Sequence, residues 1–278
     1  NGNDAGSMRE IHMDKMKNGA VLRNGTQRTA KEVFEKYAIV IAFLALLIVV
    51  SILCSSFLTP SNLILVLNQT SINGILAVGI TYVLITAGID ISIGSVVGLS
   101  GVISAMVVKA GAPLPVGFLC GTLAGTLVGV IIGILVTKGK LAPYIVTLGF
   151  LTIIRGAALL IAGGRPISSL GDAYGWIGNH NVFGVIPCPV IIFLIVVVIG
   201  HIILAHLQIG RYIYAVGGNS NAAEACGISP NKVKMFVHVF CGTCAGLAGV
   251  ILSSRVITGH PGAGEGYELD AIASAVVG

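Results

Sequence analysis

The chain has 278 residues, of which 55% are hydrophobic and only 10% charged, and its mean hydropathy is +0.96. A soluble domain carries about 25% charge, so too few polar side chains exist here to cover a surface facing water, and a soluble globular fold is excluded. The formal charge of +5 is spread thinly, without the aromatic-interleaved basic patch of a nucleic-acid binder, and no nucleic-acid partner is expected.

Residues 1–36 hold seven basic and five acidic side chains and read as a solvated tail, closing on a capping box of Thr29 and Glu32. No cleavable signal peptide precedes the first apolar run, which is itself long enough to span, and Met8 is a plausible start. A bilayer core of about 30 Å takes about 20 apolar residues as helix. Runs at 37–57, 63–87, 91–108, 114–137, 143–163, 185–207 and 233–256 qualify, which makes seven spans, and an eighth starts near Leu269. The expected fold is therefore all-α, a polytopic transmembrane bundle over residues 37–278. Thr59-Pro60-Ser61-Asn62, the Lys109 to Pro113 stretch, Lys138-Gly139-Lys140 and the long 164–184 loop punctuate it.

Orientation follows from the positive-inside rule. A cytoplasmic N-terminus puts the Lys138/Lys140 loop and the 211–234 loop inside, and the 164–184 and 257–270 segments outside. Lys109 and Arg165 go against this parity, and Arg155 and Arg255 fall within or at the end of spans.

The second run contains Asn68-Gln69-Thr70-Ser71-Ile72-Asn73, amides and hydroxyls at a depth where polar groups are costly. Gln69 and Asn73 lie one turn apart, suited either to a wet solute path lined by Asn68, Gln69 and Asn73 or to hydrogen bonding between helices. Next comes Thr86-Ala87-Gly88-Ile89-Asp90-Ile91-Ser92-Ile93-Gly94, where glycines flank a lone carboxylate and predict a broken element. Capping of the following helix by Asp90, assisted by Ser92, is the plainer role; contact with solute by Thr86, Asp90 and Ser92 is the other. In the fourth run Gly117, Gly121, Gly125, Gly129 and Gly133 recur every fourth residue, a small-residue stripe that serves close helix packing.

Several enzyme classes lack their signatures. There is no Gly-x-x-x-x-Gly-Lys-Ser/Thr phosphate loop, no His-Glu-x-x-His and no Gly-x-Ser-x-Gly, so this chain is not expected to hydrolyse ATP. The six histidines have no metal-ligand spacing, and His201, His206 and His238 read as interfacial polar residues. No metal or cofactor is expected. All six cysteines, including the Cys241-x-x-Cys244 pair, read as small core residues.

Between the sixth and seventh runs stands Arg211-Tyr212-Ile213-Tyr214-Ala215-Val216-Gly217-Gly218-Asn219-Ser220-Asn221-Ala222-Ala223-Glu224-Ala225-Cys226-Gly227-Ile228-Ser229-Pro230. A short helix starting near Asn219 and stopped by Gly227 would offer a compact alanine-rich knob. This stretch resembles the ribose-type permeases of ABC sugar importers, and the Ala222-Ala223-x-x-x-Gly227 spacing is similar to the coupling-helix motif of importer permeases, with Asn221 in place of its leading Glu. Further similar segments run in family order: Gly88 to Gly94, Pro143-Tyr144-Ile145-Val146-Thr147-Leu148-Gly149, Arg155-Gly156, Gly164-Arg165-Pro166-Ile167 and Gly262 to Ala273. The resemblance covers Leu63 to the last residue, and family members continue beyond Gly278, so the chain is expected to be cut short in mid-helix.

The resemblance implies the membrane-spanning subunit of an ATP-driven importer, working as a homodimer in a bacterial inner membrane. Its partners would be a cytoplasmic ABC ATPase subunit, an extracytoplasmic sugar-binding protein and a monosaccharide solute. Asn219, Asn221, Ala222, Ala223, Glu224 and Gly227 would make the ATPase contact. Arg165, Glu265 and Glu268 would form a rim for the binding protein; Glu265 and Glu268 are equally suited to capping the helix that follows, which is the expected role of Asp270. The competing expectation is an ion- or proton-coupled secondary transporter, for which Asp90 is the one candidate coupling group.

Overall fold

Each apolar run folds into a helix, and proline sets where several of them begin. A computed structural model describes residues 37–182, 184 and 186–277, so the capping box expected at Thr29 and Glu32 lies outside the described residues. The main helices are α1 (Tyr37–Leu53), α2 (Pro60–Ile85), α3 (Ile93–Lys109), α4 (Leu114–Thr137) and α5 (Pro143–Ile161). After a short 3₁₀ turn (Asp172–Gly175), α6 (Trp176–Asn179) and a two-residue hairpin of β1 (Asn181–Val182) with β2 (Ile186–Pro187) come α7 (Cys188–Ala205), α8 (Gln208–Gly218), α9 (Ser220–Ala225), α10 (Pro230–Arg255) and α11 (Tyr267–Val277). Pro60, Pro143 and Pro230 each stand first in a helix, where the missing N–H costs nothing because that donor has no intrahelical partner anyway.

Helices α2, α4, α5, α7 and α10 are long and apolar enough to cross a membrane, whereas α1 and α3 are apolar but shorter. The chain divides into two compact units at Leu63. The first holds α1 and the Cys54 to Thr59 turns, in which the Asn62 amide donates to Phe57 O at 2.8 Å. The second holds everything from Ile64 onward, and its core lies around α3, α4 and α10.

Glycine makes that core possible. A Cβ on Gly125 would stand 2.5 Å from both Gly242 O and Gly246 Cα, and one on Gly129 would stand 2.4 Å from His238 O, so α4 and α10 meet backbone to backbone. The upper part of the stripe serves a different neighbour, since Gly117 and Gly121 face Ser104 O and Ser100 O of α3 at 3.1 and 2.7 Å. Hydroxyls reinforce the contact, with Thr126 and Thr243 paired at 2.9 Å between α4 and α10. Elsewhere Tyr82 of α2 donates to Gly200 O of α7 at 2.6 Å while its ring packs on Phe240 of α10, joining three helices through one side chain.

Three expectations need correcting. Cys241 and Cys244 are buried in α10, but Cys54 and Cys226 are exposed, because they sit at helix ends where no neighbour covers them. His238 is no interfacial residue: it is 2% exposed, sealed on one side by the backbone approach of Gly129. The first part of the expected 211–234 loop belongs instead to α8, whose buried Gly210, Ile213 and Val216 alternate with exposed Arg211 and Tyr214 at helical spacing.

Gly125→Leu is expected to cost about 1–3 kcal/mol or more, since the facing atoms are backbone and cannot turn aside. Gly149→Ala, where a Cβ meets nothing within 4 Å, should lose no stability. Thermal unfolding of the detergent-purified protein reads both; equal losses would mean that the stripe does not hold α4 to α10.

Candidate functional site

Between α2 and α3 the helical ladder is broken for residues 86–92. Thr86, Gly88, Asp90 and Ser92 are nonetheless buried, and non-helical backbone at that depth must find its partners inside the protein. Thr86 N and Gly88 N both donate to Val83 O, at 3.1 and 3.0 Å, while Ala87 takes the left-handed φ of 58° that lets the chain turn out of the helix. From the far side Thr147 of α5 donates to Ile89 O at 3.3 Å. The break is a built feature, held from α2 and α5.

Asp90 organises its exit. Its Oδ1 accepts from Ser92 N at 2.9 Å and from Ser92 Oγ at 2.6 Å, and α3 then starts at Ile93 with Ser92 at the N-cap position. Capping of the first helical turn by Asp90 is not what the structure shows: the carboxylate bonds the N-cap residue itself, one step before the helix. Its second oxygen, Oδ2, faces His238 Nδ1 at 3.7 Å, with both side chains almost wholly buried. The imidazole Nδ1 has no hydrogen-bond partner among the described residues. His238 is the residue that sequence reasoning missed. Its signal was present, since Lys234, His238 and Cys241 fall on one face of a helical run, but position near a span end suggested the interface.

Beside His238 lies a pocket of about 260 Å³, lined by Thr86, Ala87, Gly88, Pro143, Val216 to Ser220, Lys234 and His238. Exposed Gly218 and Asn219 form its mouth, and buried Thr86 and His238 its floor. The pocket thus joins Thr86, expected on the solute path, with Asn219, expected at the ATPase contact. Asp90 and Ser92 are not among its lining residues and are 2% and 0% exposed.

The α9 knob starts where the sequence places it. Asn219 Oδ1 accepts from Asn221 N and Ala222 N, both at 3.0 Å, and Gly227 leaves the helix at a φ of 83°. Asn221, Ala222, Glu224 and Gly227 are exposed, and Ala223 is the buried anchor. The amide cluster in α2 lies apart from this pocket: Gln69 is exposed, and Asn68 and Asn73 are half-buried, each with its side-chain oxygen unpartnered among the described residues.

At the opposite end of α10, the 164–184 loop is pinned down by buried hydroxyls. Tyr174 bonds Ser104 and Ser253 at 3.0 and 2.8 Å, and Ser254 donates to Tyr174 O at 2.6 Å. Burial pushes the Tyr174 phenol above its ordinary range, only partly offset by those hydroxyls, so it stays protonated. Arg165 and Glu265 are exposed there. Glu268 is not an open rim group: Oε1 accepts from Gly266 N at 3.3 Å, and a Cβ on Gly94 would overlap Oε2, so its carboxylate is inserted against α3. Asp270 lies inside α11 rather than at its cap, its side chain accepting no hydrogen bond among the described residues. Arg155, which broke the charge rule, donates from one nitrogen to Pro261 O and Ala263 O at 2.8 and 2.7 Å and so holds the turn before α11. Among the described residues no group of three or more His, Cys, Asp or Glu could hold a metal ion.

Residues 62–278 match the family described as branched-chain amino acid transport system / permease component. The chain belongs to this family. Relatives bear out that assignment across most of the sequence. The ribose import permease protein RbsC of Bacillus subtilis is 42% identical over 247 residues, 88% of this chain and 77% of the relative. RbsC of Escherichia coli K12 is 40% identical over 242 residues, 86% and 75% of the two chains, and the D-allose transport system permease protein AlsC of the same strain is 36% identical over 250 residues, 88% and 76%. No solved structure gives a significant match. The permease is thus a multi-pass membrane protein and a transport component.

Asn219→Ala should remove the cap of α9 at a cost of about 1 kcal/mol. Faster amide exchange confined to residues 220–226 is the expected result; unchanged exchange would mean that packing of Ala223 alone holds the helix.

Proposed function

We propose that this permease carries ribose or a closely related monosaccharide into the cell as the membrane subunit of an ATP-driven importer. The observation that carries the reading is the similarity, at 40–43% identity over 86–88% of the chain, to permeases named for ribose import. Allose and arabinose permeases follow at 36% and 32%, so a polyhydroxylated, uncharged solute is common to all. An uncharged path suits such a cargo, because amides and hydroxyls exchange hydrogen bonds with sugar hydroxyls without a net charge to desolvate. Gln69, Asn68 and Asn73 of α2 offer such groups; Asp90 and Ser92 shape the break instead of touching the sugar.

The exposed, capped α9 is the part a cytoplasmic ATPase would grip, through Asn221, Ala222, Glu224 and the turn at Gly227. Energy would enter there, as closure of the ATPase displaces α9 and with it the end of α8. An extracytoplasmic binding protein would dock at the other end, near Arg165 and Glu265. A second copy of the chain would complete the pathway in the inner membrane, with the N-terminus in the cytoplasm as the distribution of basic residues favours.

A second reading, a proton-coupled transporter, has the buried Asp90 and His238 pair in its favour, since such groups are what proton coupling requires. Reconstitution in proteoliposomes separates the two. Ribose uptake should require an ATPase subunit and ATP and be indifferent to a proton gradient; full-rate uptake from a gradient alone, with no ATPase present, would overturn the importer reading. In the same assay, Ala222→Trp should abolish coupled uptake while membrane insertion and unfolding temperature stay normal.

A further inference from the structure

The pocket behind α9 has a wall chemistry that solute passage does not explain. Lys234 and His238 stand one turn apart on α10, so both reach the same cavity. The Lys234 ammonium has no ion pair among the described residues, and no carboxylate lines the pocket. Asn219 spends its oxygen on the α9 cap, which leaves its Nδ2 donor unused, and the Ser220 hydroxyl is likewise unengaged among the described residues. His238 is 2% exposed, and its Nδ1 is sealed from solvent facing Asp90, which leaves Nε2 as the nitrogen toward the cavity.

Side-chain acceptors are scarce by comparison. The Asn219 oxygen is occupied, and Thr86 Oγ1 donates inward to Val83 O at 2.8 Å. A sugar asks for donors and acceptors in similar numbers; this lining offers an ammonium, an amide N–H, a hydroxyl and an imidazole, all suited to one small anion. One charge-assisted donor, the Lys234 ammonium, converging with an amide, a hydroxyl and an imidazole in a partly dry recess favours an oxyanion over a neutral polyol.

We propose that this pocket binds a small oxyanion of the phosphate class, held by Lys234, His238, Asn219 and Ser220. The anion comes either from solution, as free phosphate or a phosphate monoester, or from the headgroup of an acidic lipid. Because Asn219 and Ser220 also open α9, occupancy would fix the position of the segment that meets the ATPase. That consequence for transport rests on the importer reading; the binding itself does not.

The test is calorimetric titration of inorganic phosphate into the full chain, purified and delipidated in a neutral detergent, at an ionic strength held constant with chloride. Saturable binding is expected, weakened about tenfold in Lys234→Gln and unchanged in Lys232→Gln, whose exposed side chain lies outside the lining. Ser220→Ala, a surface change that spares the His238 region, should weaken binding by a smaller factor. No saturable binding, or binding indifferent to Lys234, overturns the proposal. Repeating the titration in bilayer nanodiscs identifies the source: phosphatidylglycerol that suppresses the phosphate signal relative to phosphatidylcholine marks a headgroup site, and equal signals in both mark a site for free anion. Phosphate binding that persists while uptake proves independent of ATP would keep this site and discard the importer reading.

Discussion

Lipid gives helices no hydrophobic reason to associate, so the bundle rests on how closely backbones can approach. The α4 and α10 contact meets that constraint with glycine on both sides: Gly125 and Gly129 face Gly242, Gly246 and the His238 carbonyl at separations that leave no room for a methyl group. Everything else is arranged around that seam. Helix α3 packs on both partners through Gly117, Gly121 and Gly249, and the polar break after α2 is held from α2 and α5.

The same seam explains why two ionisable side chains can sit so deep. His238 lies on α10 where Gly129 brings the α4 backbone against it, and Asp90 reaches it from the break. Burying a lone carboxylate would be costly; here the Ser92 bonds serve Asp90 Oδ1, and Oδ2 faces the His238 imidazole at 3.7 Å. The break and the pair are thus mutually dependent. Without the carboxylate the chain has no anchor for re-entering helix at Ile93, and without the irregular backbone Asp90 could not be aimed at α10.

Much of this was legible in the residues. Runs of apolar side chains gave the helix positions within a few residues, glycine at every fourth place gave the packing face of α4, and Gly88, Asp90 and Gly94 marked the break. Asn219 and Gly227 marked both ends of α9. What escaped was whatever depends on partners distant in sequence. His238 reads as interfacial until Asp90, 148 positions earlier, is placed beside it. Arg155 looks like a charge in the wrong place until the carbonyls of Pro261 and Ala263 turn toward it. Glu268 looks free until the absence of a side chain at Gly94 admits it. Helix α8 was overlooked for another reason, because a short amphipathic stretch carries too little hydrophobicity to register beside membrane spans.

The end of α8 lies against the end of α2 with no clearance at all, since a Cβ on Gly217 would fall 1.8 Å from the Ile85 carbonyl oxygen. Close-packed groups behave as hard stops rather than springs. A push on α9 that tips α8 by even a fraction of an ångström therefore cannot be absorbed in slack at this joint; it must be handed on to the irregular turn that follows Ile85. Glycine at position 217 makes the joint rigid by being small, and the mechanical stiffness of the link between knob and break is set by an atom that is not there.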